Sequence, residues 1–140
     1  MSQSNTRVGD VRLEAGQDLR GKEGCLAKLG VIQGRTVAAL PSDYADPALF
    51  VVTEGADIGE LVSLRPLEPA RNVRVRLQGA CNPGDVLVLA DMMLAVDAGK
   101  VRALPEESGS YRGHLVAEEA GTQGQLVLAR PAFLGLVYVN

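Results

Sequence analysis

Asn72-Val-Arg-Val-Arg-Leu-Gln78 alternates without error, with Val73, Val75 and Leu77 on one face and Arg74, Arg76 and Gln78 on the other. A period of two belongs to a half-buried strand, and a 3.6-residue helical face cannot reproduce it. Four more apolar runs follow before Pro131, each entered through a turn. Gly79-Ala-Cys-Asn-Pro-Gly-Asp85 leads into Val86-Leu-Val-Leu-Ala90, and Asp97-Ala-Gly99 into Lys100-Val-Arg-Ala-Leu104. Ser108-Gly-Ser-Tyr-Arg-Gly113 leads into His114-Leu-Val-Ala-Glu118, and Gly121-Thr-Gln-Gly124 into Gln125-Leu-Val-Leu-Ala129. Short runs at this spacing, punctuated by Gly and Pro, predict an all-β barrel or sandwich.

The same pattern extends toward the N-terminus. Gly24-Cys-Leu-Ala-Lys-Leu29 and Arg35-Thr-Val-Ala-Ala-Leu40, separated at Gln33-Gly34, read as strands, as do Leu49-Phe-Val-Val-Thr53 and Ile58-Gly-Glu-Leu-Val-Ser-Leu64. Pro41-Ser-Asp-Tyr-Ala-Asp-Pro47 is a loop, because two prolines and two aspartates leave no room for regular structure. Pro105-Glu-Glu-Ser108 offers at most one helical turn. Aromatic residues make up 4% of the chain and Trp is absent, so the core must come from Val, Leu and Ala. A length of 140 residues suits one domain, expected over 11–140, with Met1–Asp10 too polar to bury itself and reading as a flexible arm.

Composition narrows the function. A net charge of −3 gives no general attraction to nucleic acid or anionic lipid. The first ten residues lack the apolar core of a signal peptide. The longest apolar stretch, Ala132-Phe-Leu-Gly-Leu-Val-Tyr-Val139, is far shorter than the ~20 residues a spanning helix needs. Cys25 and Cys81 read as free, buried thiols.

No catalytic set emerges, and the chain reads as a scaffold or binding surface rather than an enzyme, with no cofactor or metal implied. His114 is the only histidine and reads as structural. A small hydrolase would need Cys25 or Cys81 beside it, with a further group to orient the base. Glu106-Glu107 and Glu118-Glu119 are sequence neighbours, which a strand points to opposite faces. The Gly-bearing loops lead into strands and match no phosphate-binding fingerprint. Two groups remain as candidate partner-binding residues. Arg65, Arg71, Arg74 and Arg76 form the one local basic cluster, either a solvated outer face or a site for an acidic protein. No aromatic residues are interleaved to stack on bases. Phe133, Leu134, Leu136 and Tyr138 form an apolar run that needs cover, from a last barrel strand or from another subunit.

Four segments together resemble the small capsid decoration (cement) proteins of tailed bacteriophages. They are Ala15-Gly-Gln-Asp-Leu-Arg-Gly-Lys-Glu-Gly-Cys-Leu-Ala-Lys-Leu29, Arg74-Val-Arg-Leu-Gln-Gly-Ala-Cys-Asn-Pro-Gly-Asp-Val-Leu-Val88, Asp97-Ala-Gly-Lys-Val101 and Gly121-Thr-Gln-Gly-Gln-Leu-Val127. The resemblance covers roughly residues 11–131 and leaves the apolar C-terminal run unmatched. It implies a small β-barrel with an arm that binds the outside of a mature phage head. The partners it implies are the major capsid protein and further copies of the chain itself, as a homotrimer at local threefold positions. Asn82-Pro-Gly-Asp-Val86 is also similar to turns in biotinyl- and lipoyl-carrier barrels, an alternative that requires a lysine such as Lys100 displayed at a hairpin tip.

Overall fold

The computed structural model describes residues 9–140; most of the expected arm, residues 1–8, lies outside the described residues. Ten strands account for the regular structure: β1 Val11–Ala15, β2 Leu26–Ile32, β3 Arg35–Ala39, β4 Phe50–Glu54, β5 Leu61–Pro66, β6 Val73–Arg76, β7 Val86–Leu89, β8 Val101–Ala103, β9 Gly109–Ala117 and β10 Leu126–Val139. The all-β expectation holds. The one helical turn among the described residues is 3₁₀, at Ala95–Asp97, and Pro105–Ser108 contains none.

The first five strands close into a barrel in the order β1-β3-β2-β4-β5. Hairpin β2–β3 is made by Gln33 and Gly34, both with positive φ (50° and 77°), which gives a two-residue turn matching the strand twist. It sets the register Ile32↔Arg35 through Lys28↔Ala39. The barrel closes when β1 pairs parallel with β3 and antiparallel with β5. Ala15, Ala27, Ala38, Val52 and Val62 suit this narrow interior, with Leu19, Leu40 and Leu64 completing its core.

The run that decided the fold, Asn72–Pro131, does not build the barrel. It forms a second, five-stranded sheet in the order β6-β10-β9-β7-β8. The facing of β6 is as expected: Val73, Val75 and Leu77 are buried and Arg74 is exposed. This sheet lays its apolar face on the outside of β2 and β4. As a result Leu26-Ala27 in β2 and Val51-Val52 in β4 are covered on both faces, whereas Leu29, Val31 and Ile32 further along β2 stay exposed. Leu26 and Val51 enter the core under the sheet, while their neighbours Ala27 and Val52 enter the barrel. The unbroken apolar run Phe50-Val-Val52 follows from this double burial.

Backbone bonds join the two layers. Leu26 N donates to Gly99 O at 2.7 Å, and Arg76 N donates to Gly24 O at 2.8 Å. Gly99 has φ +87°, and a Cβ there would meet Leu26 O at 2.8 Å and Cys25 Cβ at 2.9 Å. Only glycine satisfies both the dihedral and the close approach.

β9 departs from expectation. Ser108–Gly113 reads as a turn in the sequence, but Gly109–Gly113 is strand, pairing with Gly135–Val139 in β10. The two glycines at its ends conceal a real polar–apolar alternation, in which Ser110 is exposed, Tyr111 buried and Arg112 half-buried.

Candidate functional site

The arginine cluster is divided by the fold. Arg65 lies on β5 and pairs with Asp10 at 3.1 Å; Arg74 lies on β6 and faces Glu119 at 3.6 Å. These two share a groove of about 390 Å³ between barrel and sheet, with Glu23, Val51, Leu126 and Leu128 among its walls. Arg76 instead donates to the carbonyls of Gly124 (2.9 Å) and Glu23 (3.3 Å), a structural clamp across the layers. Arg71 is exposed in the β5–β6 connection. Two of the four thus meet, each with a carboxylate close by, so the groove is not a strong anion site.

The apolar C-terminal residues do come together. β10 is flanked by β6 only along Leu126–Ala129; beyond Pro131 it has β9 alone, with a register shift between Pro131 and Gly135. The two strands continue as a ribbon, Gly109–Gly113 against Gly135–Val139. Along it Leu136 stands opposite Arg112, and Tyr138 opposite Ser110, on one face. Phe133 is 51% exposed, Leu134 49%, Leu136 41% and Tyr138 72%. A two-stranded ribbon with exposed apolar side chains is marginal in water by itself.

At the root of this ribbon lies a cavity of about 370 Å³, lined by Pro47, Leu49, Arg112, His114 and Phe133, with Gly113 and Gly135 between them. The Pro41–Pro47 loop forms one wall. Asp46 braces it, accepting from Lys28 Nζ and Ser42 N, both at 2.8 Å. Those bonds to cation and amide outweigh the burial that opposes them, and hold the Asp46 carboxyl below its usual range. Arg112 Nε donates to Ala45 O at 2.9 Å and ties the loop to β9.

His114 is 1% exposed, and its ring nitrogens find no partner in good hydrogen-bond geometry among the described residues, only loose contacts to the backbone of Arg112 and Asp46. Burial is the main reason its pKa is pushed down to about 4, with the Arg112 charge adding to it and backbone groups of Arg112 and Asp46 opposing. The imidazole is therefore neutral near pH 7. Neither cysteine is bonded to it: Cys25 sits in the barrel core, and Cys81 donates to Glu119 O at 3.5 Å. Both thiols are free, and burial raises the pKa of each. Lys100 is not displayed as a carrier lysine would be. It pairs with Asp97 at 2.9 Å, with the two side chains 18% and 12% exposed.

Sequence reasoning found Phe133, Leu134, Leu136 and Tyr138 but missed Pro47, Leu49 and Arg112. The Ser110-Tyr111-Arg112 alternation was the available signal for Arg112. Pro47 and Leu49 are joined to β9 only by the way the loop folds over.

No protein-family model matches the chain, and no curated protein does. Among solved structures, it is similar to the N base of the head fiber gp8.5 of bacteriophage phi29. The two share a TM-score of 0.67 and 17% sequence identity over 92% of this chain and 98% of that one. The likeness is one of fold, across both the barrel and the second sheet.

Proposed function

We propose that this protein is a structural component of a phage head, a decoration protein on the outer surface of the mature shell that bridges major capsid protein subunits. The observation that carries this reading is the uncovered apolar ribbon of β9 and β10, set on a fold shared with a phage head fiber base. A shell under internal pressure gains from added contacts and needs no chemistry. Many copies make individually weak contacts effective. The resemblance to cement proteins in the sequence points the same way.

The chain acts as a homotrimer in this reading. Burial of Phe133, Leu134, Leu136 and Tyr138 between copies removes the exposed patch, and a threefold assembly repeats one contact three times. Its place is the virion exterior, its partners are the capsid protein and itself, and it catalyses no reaction.

Heads lacking the protein test the proposal. Added protein should co-sediment with them and raise the temperature or osmotic stress at which they rupture, and light scattering should give a mass near three chains. A strict monomer removes the trimer alone. Absence of binding, with unchanged head stability, removes the function.

A further inference from the structure

We infer that the cavity at the root of the β9–β10 ribbon seats a carboxylate-bearing side chain of a partner protein, which on the reading above is the shell protein. The cavity, about 370 Å³, has room for one side chain and is too small for a folded element. Pro47, Leu49 and Phe133 give it apolar walls suited to the methylene groups of an aspartate or glutamate. Arg112 and His114 are the polar side chains of its lining. Arg112 commits its Nε to Ala45 O, and among the described residues no carboxylate lies within ion-pair distance of its guanidinium. That contrasts with Arg65 and Arg74 in the larger groove, which already face Asp10 and Glu119.

His114 is the second, independent sign. Its ring lines the cavity wall and is held only by loose contacts to the backbone of Arg112 and Asp46, so it reports on charge placed beside Arg112. The ring nitrogens are shut from solvent, so the incoming carboxylate pairs first with the guanidinium. The imidazole responds from behind it. Among the described residues the charge bearing on the ring is that of Arg112, with Asp46 acting only through its backbone. Neutralising that guanidinium makes the ring easier to protonate. A cation and an imidazole with apolar walls favour an acid over an amide or an alcohol of the same shape.

Because His114 is the only histidine, its ring gives a single set of NMR signals. Butyrate serves as the probe and butyramide as its neutral isostere. Butyrate should shift the His114 ring signals saturably and move their titration midpoint upward, and butyramide should not. Arg112→Gln should abolish the butyrate response and weaken binding to heads at least roughly tenfold. Arg74→Gln, in the other groove, should leave the butyrate response intact. Equal responses to both probes, or none, overturn the site. A butyrate response combined with unchanged head binding by Arg112→Gln overturns the shell as the source of the carboxylate. If the wild-type chain does not bind heads at all while the butyrate response holds, the head reading fails and the carboxylate site stands.

Discussion

Both halves of β10 are rich in apolar residues, the second the more so, yet they have opposite fates. Along Leu126–Pro131 the strand is paired with β6 up to Ala129 and with β9 from Ala129 on, and Val127 and Ala129 are buried at 2% and 0% exposure. In Phe133–Val139 it has one neighbour, and Phe133, Leu134, Leu136 and Tyr138 are all more than 40% exposed. The difference is not hydrophobicity but company: β6 begins at Val73, opposite Ala129, so the rest of β10 has no strand on that side, and the barrel does not extend beneath the ribbon. An apolar strand is core only where a second layer reaches it, and where none does its side chains stay exposed.

The largest break in that comparison comes from charging the covered half. Val75 pairs with Val127 and is fully buried, so Val75→Asp strands a carboxylate in the core and should cost at least several kcal/mol, enough to unfold the chain. Urea unfolding followed by circular dichroism reads it. A variant that unfolds like the parent would mean that β6 faces the other way.

His114 stands where the two halves meet and gives a pH-dependent test. Its folded pKa, about 4, lies below the ordinary histidine value of 6.5, so the unfolded chain binds the proton more readily than the folded one. Stability contributed by the neutral ring is full above about pH 6.5 and is lost as pH falls toward 4, by about 3 kcal/mol in total. His114→Gln, neutral throughout, should flatten this slope. Asp46 and Asp97, whose carboxyl pKa values are lowered by their partners, lose their contribution only at lower pH, which keeps the two effects apart.

Two arginines one residue apart from a shared neighbour sharpen the contrast on the covered side. Arg76 bonds two carbonyls across the layers, and Arg76→Ala should cost about 1–2 kcal/mol. Arg74, with its side chain 58% exposed and Glu119 at 3.6 Å, should cost under about 0.5 kcal/mol on replacement by alanine. Both variants should remain folded by circular dichroism.

The smallest effect on stability falls on the uncovered half. Phe133→Ser, Leu136→Ser and Tyr138→Ser combined should leave urea unfolding of the dilute chain within about 1 kcal/mol of the parent, while light scattering shows self-association lost. A large drop in stability would mean that the ribbon is covered within its own chain.

Much of the fold was legible because β-strands write their facing into a local period. Val73, Val75 and Leu77 could be assigned inward from the residues alone, and Gln33-Gly34 marked its hairpin because the turn requires positive φ. What stayed hidden was longer in range. Gly109–Gly113 looked like a turn because glycine tolerates turns and strands alike. The partition into barrel and sheet depends on which strands pair across tens of residues, as β1 does with β3 and β5, and β10 with β6. The arginine cluster looked continuous because its members are close in sequence, whereas the strand faces and the layer boundary separate them.

Composition and local pattern alone therefore determined that this chain is all-β, that its core is made of Val, Leu and Ala, and that an apolar run closes it. Those are properties of single strands and short turns. Only the tertiary structure decided that Leu26-Ala27 and Val51-Val52 are buried on both faces of their strands, that Phe133–Val139 is left uncovered, and that Arg112 and His114 meet Pro47 and Leu49 around a cavity. Each of these depends on contacts between segments far apart in the chain, which no local period records.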